Sequence, residues 1–133
     1  MKEKKQNLHS IKSCIKFKKR CIKSRNHFIN KILEFKKKGL KVCGYAASAK
    51  STTVFNFCKL NHSHIDYIAD STKEKIGKFS PGAHIPVVSI EHFRKNYRDV
   101  AILCAWNHKK EILSKEKLFV KKGGKWISHI GKV

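Results

Sequence analysis

From Leu40 onward the chain alternates short apolar runs with helix-forming segments, and no other feature constrains its fold as much. The runs read as strands near 40–45, 65–69, 85–88, 100–105 and 125–130, and the segments between them as helices near 50–60, 90–97 and 107–119. Short β-rich runs separated by helices predict parallel strands joined by right-handed crossovers. Two prolines and seven glycines fall at turns, Pro81-Gly82 being the clearest. Residues 71–83 form a longer loop, and a long loop in a compact domain is often functional. The 133 residues leave room for one domain with an appended element. A chain of this size buries roughly two thirds of its unfolded surface, enough to fold without staples.

The appended element is residues 1–38, read as one long basic helix in front of a domain at 39–133. Leu8, Ile15, Ile22 and Ile29 recur every seven residues, as do Cys14, Cys21, Phe28 and Phe35. Ile11 and Ile32 define a third track that Lys18 and Arg25 interrupt. This is an amphipathic stripe that needs covering. It can pack on its own domain, dock a separate partner subunit, self-associate or lie on an anionic membrane surface. Gly39 ends the helix as a C′ glycine, with Lys36, Lys37 and Lys38 complementing the dipole. The expected fold class is α/β: a Rossmann-like parallel sheet of about five strands with flanking helices, preceded by a long basic amphipathic helix.

Between the first strand and the next helix lies Gly44-Tyr45-Ala46-Ala47-Ser48-Ala49-Lys50-Ser51-Thr52-Thr53. A strand, a small-residue turn and a helix N-terminus form an anion site, because the first helical N–H groups lack intrahelical partners and the dipole favours negative charge there. Lys50 adds a point charge, and Ser48, Ser51 and Thr52 supply hydroxyls. The spacing is neither that of a dinucleotide fingerprint nor that of a P-loop. The block also serves simply as a strand–helix connection.

Further blocks follow in order: Ile65-Asp66-Tyr67-Ile68-Ala69-Asp70, Lys75 to Pro86, Ala105-Trp106-Asn107-His108-Lys109-Lys110-Glu111-Ile112, and Gly123-Gly124-Lys125-Trp126-Ile127. Taken together with the turn, over roughly residues 25–133, this series resembles the C-terminal domain of the sugar C-methyltransferase family of S-adenosylmethionine-dependent enzymes. The resemblance implies a Rossmann-like third domain that follows a zinc domain and a central methyltransferase domain. The chain has no second glycine-rich turn for S-adenosylmethionine and no paired-cysteine zinc signature, so it is expected to be that third domain alone. The methyl donor would then be met only through a missing or partner domain, and this chain would carry no catalytic residue and bind no cofactor.

The resemblance further implies that the carboxyl ends of the strands face the central domain and help to hold a nucleotide-linked sugar. Gly44, Tyr45, Ser48, Lys50 and Ser51 would form the phosphate-facing turn. Asp70 would accept from ribose hydroxyls or cap the next turn. Lys75, Gly77, Lys78, Pro81, Gly82 and His84 belong to the family's loop signature. In that loop the glycines and Pro81 shape the backbone, and Lys75 or Lys78 neutralises a diphosphate or stays solvated. Trp106 would stack on a base or sugar face, and Asn107 would cap its helix or touch ligand. Glu111, one turn along, faces Asn107 or a lysine. The chain departs from the family at Ala46, where glycine is common, at Ile76 for glutamine, at Ala83 for threonine, and at Ile130-Gly131, which lacks a proline.

The formal charge of +22 points another way, toward nucleic acid. The charge is spread: +12 within residues 1–38 and +10 across the rest. Only Arg20, Arg25, Arg94 and Arg98 among the basic residues are arginine, so base readout by arginine forks is not favoured. Non-specific binding of nucleic acid at low salt is expected. Cys14, Cys21, Cys43, Cys58 and Cys104 are odd in number and without a CxxC, which suits a reduced cytoplasmic compartment. His62, His64, His84 and His108 have no cysteine at ligand spacing, so no metal is expected. No apolar run is long enough to span a membrane. The leading expectation is a stand-alone domain that binds a nucleotide-diphosphate sugar, docks a separate methyltransferase subunit, or both. The alternatives are a lysine-rich interaction or nucleic-acid-binding protein on the same scaffold, and a truncated methyltransferase remnant.

Overall fold

The computed structural model describes Leu8 and residues 10–133. The part of the basic helix expected over residues 1–7 and 9 lies outside the described residues. The first helix, α1 (Ile11–Lys37), starts where Ser10 caps it by accepting from the Ser13 N–H at 3.2 Å. It ends in a Schellman motif: Gly39, at φ 72°, donates to Lys36 O and Leu40 donates to Phe35 O. Lys36 and Lys37 lie against the carboxyl end of its dipole.

The remaining elements are β1 (Val42–Tyr45), α2 (Ala49–Phe57), β2 (Ile68–Asp70), β3 (Val87–Ser89), α3 (Ile90–Lys95), β4 (Val100–Leu103), a 3-10 turn (Trp106–His108), α4 (Lys109–Lys115), α5 (Lys117–Lys121) and β5 (Lys125–Ile127). The five strands form one parallel sheet in the order β3-β2-β1-β4-β5. The architecture is the expected Rossmann-like α/β fold, with shorter strands and with the helix expected at 107–119 divided in three.

Every residue of β1 and β4 is buried, as a strand covered on both faces requires. Because side chains alternate along a strand, the sheet faces two cores. On one side Val42, Ile68, Val100, Ile102 and Ile127 meet Phe28, Ile32 and Phe35 of α1 and Phe55 of α2. On the other, Cys43, Tyr45, Ala69, Ala101 and Leu103 meet Phe93 of α3, Ile112 of α4 and Phe119 of α5. Burial pushes the Cys43 and Cys104 thiols up to about 12, so both behave as small apolar groups. Gly44 is tight for a packing reason: an added Cβ would stand 3.2 Å from Ile68 Cγ1 of the neighbouring strand.

The outer edge of the sheet is covered by the 71–83 loop. Gly77 donates to Val87 O, Val87 donates to Lys78 O, and Phe79 and Pro86 form an antiparallel bridge. An otherwise open edge strand is thereby paired. Asn56 Nδ2 ties the same loop to α2 through Pro81 O at 2.9 Å.

Candidate functional site at the carboxyl edge of the sheet

The strands end together, and the connection from β1 to α2 divides the space beyond them. Ala46 sits at φ 76° at the head of this turn and donates to Ala69 O at 2.7 Å. Ala47 N–H donates to Asp70 Oδ2 at 2.7 Å, and Thr72 N–H donates to Asp70 Oδ1 at 2.8 Å. Lys75 Nζ donates to Ala47 O at 2.7 Å and stands 3.6 Å from Asp70 Oδ2. The turn therefore already holds an anion, the chain's own carboxylate. Burial alone would raise the Asp70 pKa. Contacts from Thr72, the Ala47 N–H and the Lys75 charge outweigh it and hold the carboxyl below its ordinary value.

Ser48 and Ser51 are likewise occupied. Ser48 Oγ accepts from Ser51 N–H while Ser51 Oγ accepts from Ser48 N–H, a capping box at the start of α2. Beyond the box, the N–H groups of Ala49 and Lys50 have no hydrogen-bond partner among the described residues. Lys50 Nζ lies 5.4 Å from the centroid of the Trp106 ring, within cation–π reach. Trp106 in turn meets His129 edge-on at 5.0 Å. His129 Nδ1 is buried with no hydrogen-bond partner among the described residues, and burial lowers its pKa.

Two clefts flank the turn. The first, about 390 Å³, runs between the start of α2 and the long loop and is lined by Ser48, Thr52, Lys75, Lys78 and Phe79, among others. The second, about 470 Å³, opens where the strand order reverses between β1 and β4, the crevice that open parallel sheets offer to ligands. Tyr45 and Ala105 form its floor, with Ile90, Arg94, Ile112 and Lys115 around it.

Beneath the second cleft lies a buried polar network. Tyr45 Oη donates to Glu116 Oε1 at 2.9 Å, and Arg94 holds both Glu116 oxygens at 2.8 and 3.2 Å. Burial, reinforced by Glu116, pushes the Tyr45 pKa well up, so the hydroxyl stays a donor. Glu116 is only 1% exposed and marks the break between α4 and α5. Sequence reasoning passed over both Arg94 and Glu116. Ile112, Glu116 and Phe119 nevertheless share the helical spacing of one buried stripe, and a carboxylate on such a stripe signals a partner.

The residues singled out from sequence thus divide. Ser48, Ser51, Lys75 and Lys78 line the first cleft, Lys50 lies over Trp106, and Asp70 bonds the turn while lining the second cleft. Gly44 and Tyr45 are strand residues. Asn107, in the 3-10 turn, borders a separate exposed dent with Trp106 and Glu111. His84, at φ 50°, lines neither cleft. Glu111 takes a lysine, Lys115 Nζ at 2.6 Å. No three His, Cys, Asp or Glu side chains converge as a metal site among the described residues. No helix among them is long and apolar enough to cross a membrane.

The model of the C-methyltransferase C-terminal domain matches residues 1–131. C-methyltransferase NovU of Streptomyces niveus is 38% identical over 89 residues, covering 67% of this chain and 21% of that protein. The chain therefore corresponds to about a fifth of the length of that curated relative.

Proposed function

Because the chain belongs to the C-methyltransferase C-terminal domain family, we propose that it holds the diphosphate end of a nucleotide-linked sugar and presents the sugar to a methyltransferase module. The observation that carries this reading is the set of unspent groups on one lip of the sheet edge. These are the Ala49 and Lys50 N–H groups, the Lys50 ammonium beside Trp106, and Lys78 at the first cleft. Two free N–H groups at a helix start with two lysines suit a diphosphate, and an indole face suits a base or sugar ring. The diphosphate lies outside Asp70, because the inner turn already carries that carboxylate.

Asp70 also bears on the methyl donor. Its two oxygens are engaged by the Ala47 and Thr72 N–H groups, so the acid at the end of β2 does not suit the ribose of S-adenosylmethionine. On this reading the partnering module binds the methyl donor and performs the transfer, in a cytoplasmic setting.

The test is thermal unfolding at ~150 mM salt with thymidine and uridine diphosphate-sugars, S-adenosylmethionine and a short DNA duplex. A ligand at 100 times its Kd adds roughly 2.7 kcal/mol. A rise with the nucleotide sugars alone is expected, and Lys50→Ala should weaken that binding by about tenfold or more. Unchanged affinity in the variant opposes the site. The charge of +22 favours a second reading, nucleic-acid binding. Its signature is a shift with DNA alone that fades steeply between ~50 and ~200 mM salt.

A further inference from the structure

Among the described residues, the amino-terminal half of α1 joins neither core of the sheet. The buried residues of the helix, Phe28, Ile32 and Phe35, all belong to its second half. Ile11 is 80% exposed and Ile15 49%, and Leu8, just ahead of the helix, is 57% exposed. At about 100° per residue, Ile11, Ile15 and Ile22 fall within about 40° of one another. The same geometry sets Lys18 and Arg25 along one border of this strip and Lys12 and Lys19 along the other.

The charge around the strip has one sign. Between Ile11 and Arg25 there are seven Lys or Arg and no acid, and Glu34 is the first acid of the helix. Helices that pair with one another gain from mixed signs across the seam. A second copy would bring seven more positive charges against these seven. Nucleic acid satisfies the lysines but leaves the isoleucines in water. An anionic bilayer surface takes both, since apolar side chains enter the boundary between headgroups and acyl chains while flanking ammonium groups meet lipid phosphates.

We propose that the Ile11–Arg25 segment of α1 is a peripheral anchor that lies in the interface of an anionic membrane. It does not cross the bilayer, and its hold is reversible and weakened by salt. The remainder of the helix stays docked on the sheet through Phe28, Ile32 and Phe35, so the domain is carried beside the membrane.

Cosedimentation with phosphatidylcholine vesicles, with and without ~30% phosphatidylserine at ~150 mM salt, tests the assignment. Binding to the anionic vesicles alone is expected. The pair Ile11→Ser and Ile15→Ser keeps the charge and touches no core residue, and it should lose about tenfold or more of that binding. Circular dichroism and thermal unfolding confirm that the pair still folds. The pair Lys12→Gln and Lys19→Gln should also weaken binding and flatten its salt dependence. Any of three results overturns the proposal: no binding to anionic vesicles, equal binding by the serine pair, or a dimer that the serine pair abolishes and vesicles leave intact.

Discussion

Replacing Arg94 by Met removes the cation from Glu116 and leaves a carboxylate that is 1% exposed with Tyr45 Oη as its remaining donor. Breaking one half of a buried ion pair costs about 3–5 kcal/mol, because the surviving charge is stranded. The Arg94 side chain is 48% exposed, so water softens the loss and the low end applies. About 3 kcal/mol, at roughly 4 °C per kcal/mol for a chain of this size, lowers Tm by about 12 °C. Adding Glu116→Gln keeps the shape and an acceptor for Tyr45 while removing the charge, and should recover most of the loss. Urea unfolding of the parent, the single and the double variant measures all three terms. A single variant within about 1 kcal/mol of the parent, or a double variant no more stable than the single, refutes the stranded-charge argument.

The turn and the aromatic cluster give two further tests. Ala46 holds a left-handed backbone that costs a side-chain-bearing residue about 1–2 kcal/mol, against about 0.5–1 kcal/mol for the added freedom of glycine when unfolded. Ala46→Gly should therefore raise the urea midpoint by a net of about 0.5–1 kcal/mol, and an unchanged or lower midpoint contradicts this. His129 has a pKa lowered by burial, so its contribution is complete above about 6.5 and is lost as pH falls through the folded value. In His129→Phe the stability profile between pH 7 and 5 should flatten. The remaining slope would belong to His64, whose pKa is lowered by burial and by Lys36. A slope identical to the parent's rules out His129 as its source.

What the sequence disclosed and what it hid follow from the range of each interaction. The strands are legible because β1 and β4 are buried on both faces and so read as unbroken apolar runs. The end of α1 is legible because Gly39 is a local stop signal, whereas the sequence pattern runs the helix through residue 10, where the structure has Ser10 capping a helix that starts at Ile11. The break at Glu116 is not legible, because its cause is a tyrosine 71 residues away in sequence. Asp70 is the same case. The strand–turn–helix pattern raises the expectation of an anion site, and only the folded chain shows its own carboxylate, from 23 residues away, at the Ala47 N–H. Lys50 escapes that closure because its Nζ reaches past the turn to Trp106.

The strand order carries a consequence for how the chain comes together in time. β1, the first strand of this sheet in chain order, is the central one, and its longest ladder is with β4, where Val42 lies opposite Val100. None of the ladders is a hairpin, so each must wait for a loop of many residues to close before any pairing energy returns. Chains dominated by such distant pairings fold in milliseconds to seconds, far more slowly than helical bundles. Until β4 is available, β1 has α1, α2 and the short ladder to β2 to lean on. The long first helix is a substantial element that can form early from local contacts, and Phe28, Ile32 and Phe35 give the later strands a surface on which to assemble.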